Sequence, residues 1–241
     1  MNHRLLAAAV LAAAAVPMSA DAAQFTITPV RIFMTPRDRA IAVTVQNDSD
    51  DEVVMQADLY TWKQKADGSD DLVLTEDLIL TPPILKLAPR GRQVVRLARL
   101  GPPPAGEQLT YRLIVRELPE ARTKDKAVQL QVALAFSLPV FITPPGVKRA
   151  LQCDVDRAGA DAIRATCRNT GNAYAQIRSF ELLDGRGAKL MERDNGGYLL
   201  PSTQRSFDLK RPEGRIPGGA VKLQAALDDG TVQTFEATLP E

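Results

Sequence analysis

Residues Lys126–Phe141 read KAVQLQVALAFSLPVF. Val128, Leu130, Val132, Leu134, Phe136, Leu138 and Val140 occupy every even position in turn. Strict alternation puts all of them on one face of an extended chain. At about 3.3 Å per residue the run spans roughly 45 Å, more than twice the ~17–20 Å of an ordinary strand. Its odd positions are Gln129, Gln131, Ala133, Ala135, Ser137 and Pro139, with no lysine among them. A long apolar strand without charged guards is an aggregation hazard when it lies at a sheet edge. The run therefore predicts a β protein with an unusual use for one strand.

The rest of the chain agrees with β structure. Helix patterns are scarce, and strand-like segments bounded by turn residues recur from Phe25 onward: FTITPVRIF, IAVTVQN, VVMQADLYTW, LVLTEDLILTPPILKLAP, GRQVVRLARL and YRLIVRELP. Asn47-Asp48-Ser49-Asp50 and ADGSDD read as turns. Pro82-Pro83 reads as a tight turn compatible with a cis bond. Seven short strands in about 120 residues read as an immunoglobulin-like sandwich. ITPPGVK (Ile142 to Lys148) reads as a stiff hinge between domains. Beyond it, RALQCDVDRAGADAIRATCRNTGN reads as a hairpin. AQIRSFELLDGRGAKL and VKLQAALDDGTVQTFEATL read as further hairpins, turning at Asp184–Gly187 and Asp228–Gly230. The expectation is all-β, two β-sandwich domains, with boundaries 1–22 (signal), 23–143 and 144–241.

The first residues carry their own signal. MNHR is a positive start, Leu5–Val16 is an apolar run of 12, and Ala20-Asp21-Ala22 is a small-x-small site. This is the pattern of a secretory signal peptide. It is well short of the ~20 residues that span a bilayer, so the exported chain is expected not to be membrane-embedded.

Composition removes several chemistries. The one histidine is His3, inside the signal segment, so the exported chain has no Ser-His-Asp or Cys-His unit and no His-containing metal site. Net charge is +1, and no global field points to nucleic acid or lipid. Cys153 and Cys167, the two cysteines, lie 14 residues apart in an exported chain and are expected to form a disulfide. That loop closure is worth roughly 3 kcal/mol in the chain-entropy model. No phosphate-cradling glycine loop is present, and no cofactor or metal is expected. Aromatic residues are 5% of the chain, which is sparse for sugar stacking, and no strong carboxylate pair argues for a glycosidase.

Arg31-Ile32-Phe33, Asn47 sixteen residues later, TPPILKLAPRGRQVVRL, YRLIVRELP and LQVALAFSLPVFITP resemble, in order and spacing, the first domain of periplasmic pilus chaperones. CRNTGNAYAQI and YLLPSTQRSFDL are similar to strands of that family's second domain, more weakly. The resemblance implies two immunoglobulin-like domains set as a boomerang. It also implies partners: pilin subunits, whose missing strand the chaperone supplies, and an outer-membrane usher. Strand addition of this kind is a known recognition mode, with pilin complementation among its named examples.

The resemblance implies roles for particular residues. Val128, Leu130, Val132, Leu134 and Phe136 become the donor strand. Arg31 becomes the ligand of the client's C-terminal carboxylate, a role that suits the paired donors of a guanidinium. Two positions depart from the family: Pro139 stands where many members have a second cationic ligand, and Thr143 where a structural arginine is usual. Glu117 of RELP is expected as that arginine's acidic, structural partner. Arg112 is the first substitute for the missing cation, if its side chain enters the cleft; Lys148 and Arg149 are others. The Tyr-Arg pair and the SLPVF ending resemble the archaic branch. The short loop from Glu120 to Ala127 argues against the long-loop subgroup. Two copies pairing their edge strands would be one way to mask the ribbon. The alternative reading is a secreted immunoglobulin-like binding module, an adhesin or receptor domain working through its loops.

Overall fold

The computed structural model describes residues 25–65, 67–102, 105–118 and 133–241. The signal segment lies outside them, and so do Val128, Leu130 and Val132 of the expected donor strand. Leu134 and Phe136 lie within.

Among the described residues all regular structure is β. The first ten strands are β1 (Phe25–Thr28), β2 (Ile32–Met34), β3 (Ala40–Asn47), β4 (Val53–Gln64), β5 (Asp70–Leu74), β6 (Leu78–Thr81), β7 (Ile84–Leu87), β8 (Arg92–Arg99), β9 (Leu109–Glu117) and β10 (Ala135–Ile142). They form two sheets, β1-β3-β8-β6 and β2-β10-β9-β4-β5, with β7 also on β4. Pro29 stands at the break where the chain leaves the first sheet and joins the second; it has no N–H to give a ladder. Seven more strands follow: β11 (Leu151–Arg157), β12 (Ala162–Asn169), β13 (Ala175–Asp184), β14 (Lys189–Leu199), β15 (Gln204–Lys210), β16 (Gly219–Leu227) and β17 (Val232–Leu239). These form the sheets β11-β12-β15 and β14-β13-β16-β17. Thr143–Ala150 connect the two sandwiches.

Alternation explains each core. In the first sandwich Val43 and Val45, Met55, Ala57 and Leu59, Leu113 and Val115, and Leu138, Val140 and Ile142 meet between the sheets. In the second, Ile163, Phe180, Leu182, Phe207 and Leu223 do the same, with the Phe180 and Phe207 rings 4.9 Å apart. Cys153 and Cys167 lie directly opposite in the β11–β12 hairpin and are disulfide-bonded.

The opposite phase carries the join between domains. On β4 the core residues are odd-numbered through Leu59, yet Trp62 is buried on the other face. On β10 the core residues are even-numbered, yet Phe141 is fully buried too. Trp62 and Phe141 pack with Tyr174 and Leu200 of the second sandwich in a separate cluster. Thus the alternating run does not have one wet face to its end: its last residues are covered on both sides.

Candidate functional site

β10 divides into two parts. Its whole length, Ala135–Ile142, pairs with β9, but only Val140–Ile142 pair on the other side, with the parallel strand β2. Among the described residues, Ala135–Pro139 have no strand partner on that edge. Pro139 lies at the boundary of the two parts. Leu134 and Phe136 are half-buried, and Phe136 meets Phe25 edge to face at 6.3 Å.

Arg31 stands one residue before β2, where the open edge stops. Its side chain is 41% exposed and reaches the second domain. Nη1 donates to Gln176 Oε1 at 3.1 Å and to Asp228 Oδ2 at 3.0 Å. Partial burial pulls the guanidinium pKa down, but Tyr198 and Tyr174, once ionised in alkali, and the Asp228 carboxylate outweigh it and hold it above its ordinary value. Arg31 is therefore a permanent cation in the cleft. Beside Gln176 a polar hollow of about 620 Å³ opens on β13 and β14, lined also by Arg178, Asp194 and Asn195.

Arg112 occupies the middle of β9, opposite Pro139. It belongs to the phase that faces away from the core, so its side chain meets the second domain. The guanidinium carbon lies 3.7 Å from the Trp62 ring centre and 5.6 Å from that of Tyr198. Asp70 Oδ2 is 3.5 Å from Nη2, and Asp70 Oδ1 also accepts Trp62 Nε1–H at 2.8 Å. The side chain is 13% exposed and its buried Nε has no hydrogen-bond partner among the described residues. Burial lowers the Arg112 pKa, against the charges of Asp70 and Tyr198. Tyr198 lies between the two arginines: burial raises its pKa, while Arg31 and Arg112 both oppose that rise.

Glu117 is elsewhere. It ends β9, at the opposite end from Thr143, where its backbone N–H donates to Leu134 O at 2.9 Å and its carboxylate accepts from Leu134 N at 3.4 Å. It cannot serve position 143; it tethers the start of β10. Thr143 instead accepts from Gln108 Nε2 at 2.7 Å, and Gln108 Oε1 accepts the Tyr174 N–H at 2.9 Å. A buried amide thus stands at the hinge, beside the position where the family usually has an arginine and this chain has Thr143.

Residues that pattern reading passed over complete the cleft: Gln64, Gln108, Tyr174, Gln176, Tyr198 and Asp228. Gln64 donates to Tyr198 O at 2.9 Å and accepts the Leu200 N–H at 3.0 Å. Gly68, at φ +80, lies so close to Arg205 that a Cβ would come within 2.6 Å of its side chain. The one available signal was phase: Trp62, Arg112 and Phe141 are large residues on the supposedly wet face.

Residues 24–148 match the family described as "Pili and flagellar-assembly chaperone, PapD N-terminal domain". The chaperone protein LpfB of Salmonella typhimurium (strain LT2) is 27% identical over 153 residues, covering 61% of this chain. That match spans 62% of LpfB, less than two thirds of its length. Among solved structures, the CsuC–CsuE chaperone–tip subunit pre-assembly complex from the archaic Csu pili of Acinetobacter baumannii matches at TM-score 0.63. Identity there is 22%, over 90% of this chain and 100% of the other. The E. coli chaperone DraB matches at TM-score 0.55 and 21% identity, over 90% and 97% of the chains. These two likenesses are of fold. The family model covers more than half of the sequence, and the chain belongs to the pili and flagellar-assembly chaperone family.

Proposed function

We propose that this protein is a non-enzymatic periplasmic chaperone. It lends β10 to a pilin subunit that lacks a strand, binds the subunit's C-terminal carboxylate through Arg31, and passes the subunit to an outer-membrane usher. The observation that carries this reading is the half-paired β10. Its inner part is sealed by β2, and its outer part has an edge with no strand partner among the described residues, ending at Arg31.

The geometry also gives a direction. β2 runs parallel to β10 and begins opposite Val140. A client strand in line with β2, running the same way, would bring its C-terminus to Arg31. The reverse strand would bring a positive amino group there, which Arg31 repels. Val128, Leu130, Val132, Leu134 and Phe136 would fill the client's groove, each fully buried side chain contributing about 1.5–3 kcal/mol. Arg112 adds a second positive charge behind Tyr198. No cofactor enters this reading. The same open edge would let two free copies cap one another.

The test is recovery of a periplasmic subunit by the tagged chaperone. Arg31→Ala should abolish recovery while circular dichroism remains that of the parent. Undiminished recovery with Arg31→Ala would remove the carboxylate role. Recovery of a glycan or host protein in place of a strand-deficient subunit would favour an adhesin-like module.

A further inference from the structure

Asp228 presents its carboxylate to Arg31. It stands in the turn between β16 and β17, with its side chain 11% exposed. Three donors from separate parts of the chain converge on it. Arg31 Nη1 reaches Oδ2 at 3.0 Å, Tyr174 Oη reaches the same oxygen at 3.1 Å, and Arg149 Nη1 reaches Oδ1 at 3.2 Å. One guanidinium comes from the first domain and the other from the connector between the two sandwiches. The arrangement is a two-arginine carboxylate clamp whose occupant is the chain's own residue. Arg149 also extends Nη2 to Asp229 at 3.3 Å.

We propose that Asp228 is the resident occupant of this clamp and a specificity-determining residue for client binding. The proposal rests on the reading of Arg31 as the carboxylate anchor. A client's terminal carboxylate draws Arg31 away from Asp228, and Asp228 remains held by Arg149 and Tyr174. Those two partners matter, because a mostly buried carboxylate left alone is strongly disfavoured. The exchange replaces one ion pair on Arg31 by another. An anion without a strand attached therefore gains little, and the balance is tipped by backbone pairing along Ala135–Pro139. Asp228 thus makes Arg31 respond to a carboxylate at the end of a strand and ignore loose anions.

The test uses residues 23–241 and two probes: a ten-residue peptide of alternating valine and threonine with a free C-terminal carboxylate, and the same peptide as its amide. The quantity read by fluorescence anisotropy is the ratio of acid to amide affinity, which a general loosening of the domains leaves unchanged. Asp228→Asn keeps the size and an acceptor for Tyr174 but removes the competing charge. The ratio should rise about fivefold, as expected for release of one partly exposed ion pair. Arg149→Ala should lower it, because Arg31 is then the one guanidinium left among the three donors that hold Asp228. A ratio unchanged or lowered by Asp228→Asn, or no binding of the acid peptide to that variant, overturns the proposal. Should Asp228→Asn not fold, Arg149→Ala decides: a ratio that stays or rises overturns it. Equal binding of acid and amide to every form removes the Arg31 reading and this one together. An acid preference in the parent that neither variant changes removes this one alone.

Discussion

Phe141 and Tyr174 stack across the domain junction with ring centres 4.1 Å apart and planes 15° from parallel. Phe141 is the last aromatic residue of the alternating run, and Tyr174 also donates to Asp228. Strand β10 and the Arg31–Asp228 pair therefore share one packed surface. Phe141→Ala should cost about 3–5 kcal/mol, as for other buried aromatic truncations. It should also uncouple the sandwiches, so that scanning calorimetry shows two transitions where the parent shows one. A single transition at the parent's temperature would contradict the role of this cluster.

Asn47 and Asn169 are fully buried and do the same work in the two domains. Asn47 Nδ2 donates to Asp51 O at 2.7 Å and Ala88 O at 3.1 Å, and Oδ1 accepts the Ser49 N–H at 3.0 Å. Asn169 Nδ2 donates to Ala173 O at 2.7 Å, Leu199 O at 3.1 Å and Leu200 O at 3.2 Å. Replacing either by alanine strands buried carbonyls, at a cost of about 2–4 kcal/mol. Asn47→Asp should cost more than Asn47→Ala at neutral pH, because it turns a charge toward those carbonyls. Urea midpoints of the three variants check both statements; an aspartate as stable as the alanine would refute the second.

Alkali should destabilise the protein earlier than its lysines and arginines would suggest. Burial first, and the carboxylate of Asp77 second, push Tyr111 up to about 12. Burial also raises Tyr174 and Tyr198. An unfolded tyrosine ionises near pH 10. A group raised in the folded state contributes stability in full below its unfolded pKa. That contribution is lost as the pH climbs from about 10 toward the folded value. The urea midpoint should be flat from pH 8 to 9.5 and fall steadily above 10, and Tyr111→Phe should shallow the fall. A flat midpoint to pH 11.5 would contradict this.

Much of this was legible along the chain. The alternation in Lys126–Phe141 announces a strand with a continuous apolar face, because side chains on extended backbone alternate whatever surrounds them. The cysteine pair, the turns and the Pro-Pro-Gly hinge are equally local. Arg31 came from family resemblance, and Glu117 shows the limit of that route: its motif is intact, but β9 carries it to the far end from Thr143. Arg112 was visible as a cation, while its stacking on Trp62 was not.

By itself, then, the sequence determined the all-β character, the even-numbered face of the ribbon and the chemistry it excludes, since these follow from neighbours within a few residues. Only the tertiary structure decided where β2 joins β10, at Val140–Ile142. It alone showed that Phe141 and Trp62 seal a junction, and that Arg31 faces Asp228, 197 residues away in the chain. Strand periodicity fixes which side of a strand a residue is on; which other surface covers that side depends on how two separately folded sandwiches dock.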